Sequence, residues 1–493
     1  MAHPFNEEYR FGSAGWAEEH DIQAAGLFGP TGPQIGYWKD RPLRLDGDSP
    51  LITIGGAGSG KQRDLLAFVV CNSPGQNMIT LDPRAELACI SLHRHAANGE
   101  HAWHWNPVGL CGLPQNRCNV LDILDANSPN LHADAKFIAE GLIPLSGGGN
   151  GRYFELRARE WLENLIKALV ERNGQVSLPA LYRMINLIET DRQRWADMLE
   201  AMLQSRFDSV RRTAAEMLTK QQDTPKEFGA ILGEIYAHMS FLDDPVLSAS
   251  LEEPEFSLSA LSDGGPACKI FLNVPAEYLS IWSPLLRLFF TVTMLYKGRR
   301  PQAPRVVLLV DEAGQLGRFE ALLRAYTYGR GAGLRVWSIF QDVGQIIRNF
   351  DRSALQSFLG SAQTRQFFGV RDYETAQLIS NMLGDETLSY DDNVQQNAAG
   401  KQRREIMRGL LLEGGDPFEA ANRIKQARFE ETHRSLQRRS LLTPDEALAM
   451  PEDRQILFIS GMNLKPIYAW KWPFYSRREF AGMYLANPYH PPT

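Results

Sequence analysis

Cysteine is scarce in this chain: five in 493 residues, none in a C-x-x-C pair. Cys71, Cys89, Cys111, Cys118 and Cys268 are an odd, scattered set, which fits a reduced compartment. Long apolar runs are also lacking. The most apolar stretch, "IWSPLLRLFFTVTMLY" from Ile281 to Tyr296, is shorter than a spanning helix needs and carries Arg287 mid-run. It reads as a buried core helix, and the chain as one that spans no membrane. Residues 1–30 are polar, acidic and Gly-rich, without the basic start and apolar run of a signal peptide. No internal repeats appear. Neither sign of charge dominates: 52 Lys and Arg face 58 Asp and Glu, a net charge of −6. That balance excludes no class of partner, because a pore for nucleic acid needs only a local basic lining.

What is present is ordinary soluble-protein composition, 44% hydrophobic and 22% charged, in a chain long enough for about two or three domains. Residues 1–50 hold turn signals such as "FGPTGPQIG" and read as an irregular or short-strand leader. From Pro50 the pattern changes. "LITI" is a short apolar strand, a Gly-rich loop follows, then "RDLLAFVVCNS" with helical character, then the strand "NMITLD" ending on Asp82. That order is what a parallel α/β sheet requires. From about Leu131 to Glu255 the texture is helical; "YFELRAREWLENLIKALVERNG" spaces Phe154, Leu156, Trp161, Leu165 and Leu169 on helical intervals and stops at Gly174. Strands return with "CKIFLNV", "RVVLLVDEA", "RVWSIFQD" and "TRQFFGV". An α/β domain interrupted by a helical insertion explains this order. We divide the chain into 1–150 (leader and first half of the α/β domain), 151–256 (all-α insertion) and 257–493 (second half). Within the last, 391–440 is a polar segment poor in apolar periodicity, expected as a solvated face or a mobile loop. "TPDE" at 443–446 marks a helix start, with Pro in the first turn and acids near the positive end of the dipole.

Three motifs carry chemistry. In "ITIGGAGSGKQRD" the residues Gly55, Gly60 and Lys61 stand at phosphate-loop spacing, G-x-x-x-x-G-K. Gly55, Gly58, Ser59 and Gly60 let backbone N–H groups curl round phosphate oxygens, and Lys61 adds a point charge at a helix N-terminus. The next residue, usually Ser or Thr for its magnesium-binding hydroxyl, is Gln62; its longer amide is a candidate partner for a metal-bound water. "RVVLLVDEAGQLG" is an apolar strand delivering Asp311 and Glu312 at its C-terminal end, a Walker B pattern. Asp311 is the candidate Mg²⁺ holder and Glu312 the candidate base for the attacking water. "YGRGAGLRVWSIFQD" ends a further strand on Gln341, whose amide both donates and accepts, with Arg330 upstream between glycines. The histidines of "HRHAANGEHAWHW" (His93, His95, His101, His104) lack zinc spacing and read as surface or turn residues.

Taken together, these blocks resemble the type IV secretion coupling proteins, the conjugative DNA-transfer ATPases. The resemblance runs through most of the chain. "FGSAGWAEEHDIQAAGL" is similar to the segment opening that family's cytoplasmic part. "DPRAEL" resembles its D-P-K-G-E-L, with Arg84 and Ala85 as departures; "WHWNPVG" and "NVLDIL" sit at its N-P and N-x-L-D elements. "TRQFFGVRDYETAQLISNMLGDET" and "LLTPDEALAMPEDRQILFISGMNLKPI" match its C-terminal blocks.

The resemblance implies a RecA-like P-loop domain with a mainly parallel sheet and an all-α insertion on the channel-entry side. It also implies a homo-oligomeric ring, a hexamer, around a DNA channel, with ATP and Mg²⁺ between protomers and a monomer in isolation left open. Carried over by position, Lys61 contacts phosphates, Asp311 and Glu312 serve metal and water, Gln341 senses the γ-phosphate, and Arg330 is a finger into the neighbour's site. The implied function is an ATP-driven coupling protein that recruits single-stranded DNA with its relaxase, or protein effectors, and passes them to the secretion channel. Cytoplasmic placement with recruitment to the inner membrane face by partners goes with it, since family members usually carry an N-terminal pair of membrane helices and this sequence begins near where their cytoplasmic part begins. Two other readings stay open. One is a receptor or adaptor that does not hydrolyse nucleotide, motivated by Gln62 and the altered "DPRAEL"; the other is a RecA-like DNA translocase unrelated to secretion.

Overall fold

The computed structural model describes residues 9–145, 151–412, 416–432 and 434–489. It divides into two units. The smaller comprises Met1–Glu18, Arg371–Met450 and Lys465–Ile467, and the larger Glu19–Val370, Pro451–Leu464 and Tyr468–Thr493.

Thirteen strands are found among the described residues. They are β1 (Gln34–Trp38), β2 (Arg41–Arg44), β3 (Leu51–Gly55), β4 (Asn77–Pro83), β5 (His101–Trp105), β6 (Cys268–Val274) and β7 (Val306–Val310). The rest are β8 (Leu334–Phe340), β9 (Thr364–Phe368), β10 (Asp385–Tyr390), β11 (Ser435–Ser440), β12 (Arg454–Ile459) and β13 (Ile467–Trp470). Eleven form one sheet in the order β2-β1-β13-β12-β9-β3-β8-β7-β4-β6-β5. From β9 to β5 every pairing is parallel. The pairs β9–β12, β1–β13 and β1–β2 are antiparallel. Central strands are buried at every residue, as parallel strands covered on both faces must be. Their β-branched and leucine runs suit that place. The leader thus does more than connect: β1 and β2 extend the sheet beyond β13.

The apolar stretch around Arg287 is the helix Ser283–Arg299, buried over its first eleven residues and again at Lys297; it packs on the helix Leu131–Leu142. Arg287 is buried within it. Its guanidinium donates to the carbonyls of Gly141 (3.1 Å) and Leu316 (2.8 Å) and to Ser283 Oγ (3.2 Å). Among the described residues no helix is long and apolar enough to cross a membrane.

Between β5 and β6 the chain runs through the helices Gly151–Asn173, Leu178–Thr190, Arg192–Leu203, Asp208–Asp223 and Pro225–Met239. They close on Trp161, Leu165, Ile185, Met217 and Ile235, all buried. Fully burying such side chains contributes about 1.5–3 kcal/mol each.

The stretch 391–440, expected as a solvated face or a mobile loop, is largely regular, and its run "KQRREIMR" lies mostly exposed on a helix, as a solvated face does. It holds the helices Asn393–Leu412 and Pro417–Thr432, packed on each other, and β11, antiparallel to β10 with Asp385 opposite Ser440. Its buried positions are Ala399, Ala420 and Ala427. An alanine seam leaves almost no apolar periodicity to read. The helix start at Thr443 is a capping box with Pro444 in the first turn.

Candidate functional site

The Gly-rich loop joins β3 to a helix that begins at Lys61 and Gln62. Gly58 (φ +69°) and Gly60 (φ +81°) take left-handed backbone that a side chain resists. A Cβ on Gly60 would also strike the Asp64 carboxylate, and one on Gly55 would meet the Phe368 ring at 2.9 Å. The first turn of the helix is wide: Ala67 N–H reaches back to Gln62 O, a distortion frequent at functional sites. Lys61 is buried, its ammonium 3.1 Å from Gly55 O and 3.3 Å from Glu312 Oε1. Ser59 Oγ is buried with no hydrogen-bond partner among the described residues. An orphaned hydroxyl on a loop that only glycine can trace fits a phosphate oxygen.

β7 lies between β8 and β4 and leads directly into Asp311, so the loop strand β3 and the acid strand are separated by β8. Asp311 is 1% exposed. It accepts Gln62 Nε2 at 3.1 Å and Glu312 N–H at 2.9 Å. Burial raises its pKa well above the carboxylate range and the Glu312 charge adds to this, while Lys61 and the Gln62 amide pull it down. A cation would relieve that burial, so the donor chemistry fits a divalent metal. Glu312 has φ +51°, ψ +40°. This left-handed, non-glycine backbone costs about 1–2 kcal/mol and aims the carboxylate back at Lys61. Gln341, directly after β8, donates Nε2 to Glu312 Oε2 at 2.7 Å. Lys61, Gln62, Asp311, Glu312 and Gln341 therefore form one connected cluster.

A cavity of about 1340 Å³ opens on this cluster. Its other walls are Arg84, Glu86 and Ile90, and, from the C-terminal region, Tyr475, Tyr484 and Asn487. Asn487 donates to Glu86 Oε2 at 2.9 Å, and Tyr489 OH donates to Arg84 O at 3.0 Å, with the Arg84 guanidinium 4.1 Å over its ring.

One acid and one amide stand close to this cluster without a role assigned from the sequence: Asp82, quoted only as a strand end and the start of "DPRAEL", and Gln345. Asp82, at the end of β4, follows the Leu81–Val310 register and so stands beside Asp311. It accepts the N–H groups of Leu87 (3.2 Å) and Ala88 (2.7 Å), yet burial, with Asp311 adding, pushes its pKa up to about 8. Gln345 accepts Gln341 N–H at 2.9 Å and packs against Gly314, steadying Gln341 and the turn after Glu312 together. Its signal was a second glutamine four residues after Gln341, one helical turn on.

Arg330 is not among the cavity residues. It is exposed, and its Nε pairs with Asp48 Oδ1 at 2.9 Å. The histidines need correction. His95 and His104 are buried, not at the surface: His95 Nδ1 lies 2.9 Å from Glu100 Oε2, and His104 stacks on Phe271. The turn around them is short, and β5 carries His104 into the sheet beside β6.

With this geometry in hand, the chain compares with known proteins as follows. The family model for Type IV secretory system Conjugative DNA transfer matches residues 6–413 and 418–489. A conjugal transfer protein TraG of Escherichia coli is 22% identical over 532 residues, covering 96% of this chain and 78% of that protein. The protein VirD4 of Agrobacterium fabrum is 23% identical, covering 93% and 71%. Among solved structures, the bacterial conjugative coupling protein TrwBdeltaN70 in its unbound form aligns with a TM-score of 0.65 at 15% identity, over 96% of each chain. Plasmid coupling protein TrwB in complex with ADP and Mg²⁺ gives 0.64 at 16% identity, again over 96% of each. The likeness to these structures is one of fold: a RecA-like α/β architecture on a mainly parallel sheet.

Proposed function

The chain belongs to the type IV secretory system conjugative DNA transfer family, and we propose that within it this protein is the ATP-driven coupling component that takes up transfer substrates and hands them to the secretion channel. One observation carries the enzymatic part. Glu312 is held between the Lys61 ammonium at 3.3 Å and the Gln341 amide at 2.7 Å, on the wall of a cavity that begins at the phosphate loop.

The chemistry assigned to these residues is hydrolysis of the terminal phosphoanhydride. Water adds to the γ-phosphorus, the bond to the β-phosphate oxygen breaks, and Glu312 takes the water's proton. Lys61 and the loop N–H groups hold the phosphates; Gln341 orients the water against Glu312. Asp311, with Gln62 on its second oxygen, would hold Mg²⁺, which when bound neutralises phosphate charge and orients the triphosphate. That TrwB has been solved with ADP and Mg²⁺, and with the ATP analogue ADPNP, supports the nucleotide part of this reading. The exposed Arg330 suits a finger offered to a neighbour in a ring. In the same reading the substrate is single-stranded DNA with its relaxase or a protein effector, met by the helical insertion 151–256 on the inner membrane face.

ATP turnover measured across protein concentration, with and without single-stranded DNA, tests this. Turnover that rises with concentration and is lost in Lys61→Ala and Glu312→Gln is expected; equal turnover in all three proteins overturns it. Substrate cross-links should gather on 151–256, and cross-links confined elsewhere would remove that assignment. The Gln62–Asp311 hydrogen bond favours a second reading, a receptor that binds nucleotide without turnover. Binding without hydrolysis, even with DNA present, would select it.

A further inference from the structure

We propose that Lys471 is a positioning residue for the phosphate loop, holding the Ser59–Gly60 peptide so that its N–H faces the cavity. This rests on the nucleotide reading above. Lys471 directly follows β13 and is 2% exposed. Its ammonium donates to Ser59 O at 2.7 Å, lies 3.5 Å from Asp64 Oδ2, and sits 4.1 Å over the Phe368 ring.

Burying an ammonium is costly unless it is paired and hydrogen-bonded. Here a carbonyl, a carboxylate and an aromatic face share it, and all three belong to the loop or to its support. A trans peptide is planar, with its C=O and N–H pointing to opposite sides. Drawing the Ser59 carbonyl toward Lys471 turns the Gly60 N–H the other way. Ser59 and Gly60 line the cavity and Lys471 does not, so the other way is the phosphate side. Without that tether the peptide is free to flip, and its carbonyl oxygen would face the phosphate and repel it. Gly369, at φ +57° just past β9, also presses on the loop: a Cβ there would strike the Ser59 side chain. Asp64 is already engaged by Arg63, at 2.5 and 2.9 Å. Its carboxylate therefore keeps a cation when Lys471 is lost.

Four proteins separate a tether from a plain buried ion pair: wild type, Lys471→Met, Asp64→Asn, and the double variant, which removes both members of the Lys471–Asp64 pair. Two readouts are taken on each, titration with a fluorescent ATP analogue and amide hydrogen exchange over residues 55–66 without nucleotide. Affinity should fall about tenfold or more in both Lys471 proteins, the usual scale for losing a charge-assisted hydrogen bond, and stay within about threefold in Asp64→Asn, where Lys471 keeps its 2.7 Å bond to Ser59 O and loses only the longer 3.5 Å contact. Exchange over the loop should quicken in the two Lys471 proteins alone. A folded double variant with wild-type affinity and wild-type exchange overturns the proposal. Wild type that binds no nucleotide would sink the ATPase reading instead, while the exchange comparison still decides for or against Lys471.

Discussion

Gln341 Nε2 lies 2.7 Å from Glu312 Oε2, which ties the strand next to the acid strand to the acid itself. The contact reaches across from β8 to the end of β7, and Gln345 fixes it from behind by accepting the Gln341 backbone N–H. An amide held this way reports the position of Glu312 to a whole strand. Replacing Gln341 with Ala should lower kcat by about 10²-fold or more while leaving nucleotide affinity within a few fold, since water orientation matters chiefly in the transition state. Steady-state turnover beside equilibrium binding checks this.

Gln62 supports Asp311 in its charged form through the 3.1 Å hydrogen bond. Without it the carboxyl, already raised by burial, rises further. Gln62→Ala should therefore need several-fold more Mg²⁺ at neutral pH, and the acid limb of the pH–rate profile should move to higher pH. Metal titrations of turnover at two pH values would show it.

Arg330 pairs with Asp48 at the surface, and an exposed pair of this kind stabilises by no more than about 1 kcal/mol. Arg330→Ala should keep its melting temperature and its nucleotide affinity, yet lose most turnover at concentrations where wild type is active. Mixing it with Lys61→Ala protein should restore part of the activity, because each supplies what the other lacks. No recovery on mixing would argue that the two groups do not meet between protomers.

Arg287, buried in the core, donates to the carbonyls of Gly141 and Leu316. Arg287→Met leaves those of Gly141 and Leu316 without this donor and should cost roughly 3 kcal/mol of stability. Denaturant unfolding with an unchanged m-value would measure it.

The buried acid Asp82 gives the fold a pH dependence. Its native pKa, about 8, stands above the ordinary 3.8, so the native state holds a proton that the unfolded chain releases. The stabilisation is complete below about pH 4 and is lost as pH rises through about 8. Asp82→Asn should flatten that decline in thermal melts taken from pH 5 to 9.

The motif residues that come together were more legible in the sequence than the support around them. Lys61, Asp311, Glu312 and Gln341 each end an apolar strand or follow a glycine loop, and local pattern suffices for such positions. The parallel core could be expected from strand and helix alternation, but not the register that puts Asp82 beside Asp311. Gln345 and Lys471 act through contacts that local patterning does not encode. His95 and His104 were misjudged because their neighbour Phe271 comes from a strand far along the chain. Ala85 shows the limit of motif matching: at φ +61° it keeps the backbone that the glycine of D-P-K-G-E-L would take, without the glycine.

The contact between Ser59 and Lys471 joins positions 412 residues apart. A contact of that separation forms only once the chain between has closed into the sheet, so it belongs to the late, cooperative part of folding. A fragment that stops short of β13 lacks the Ser59 contact, however complete its Gly-rich turn.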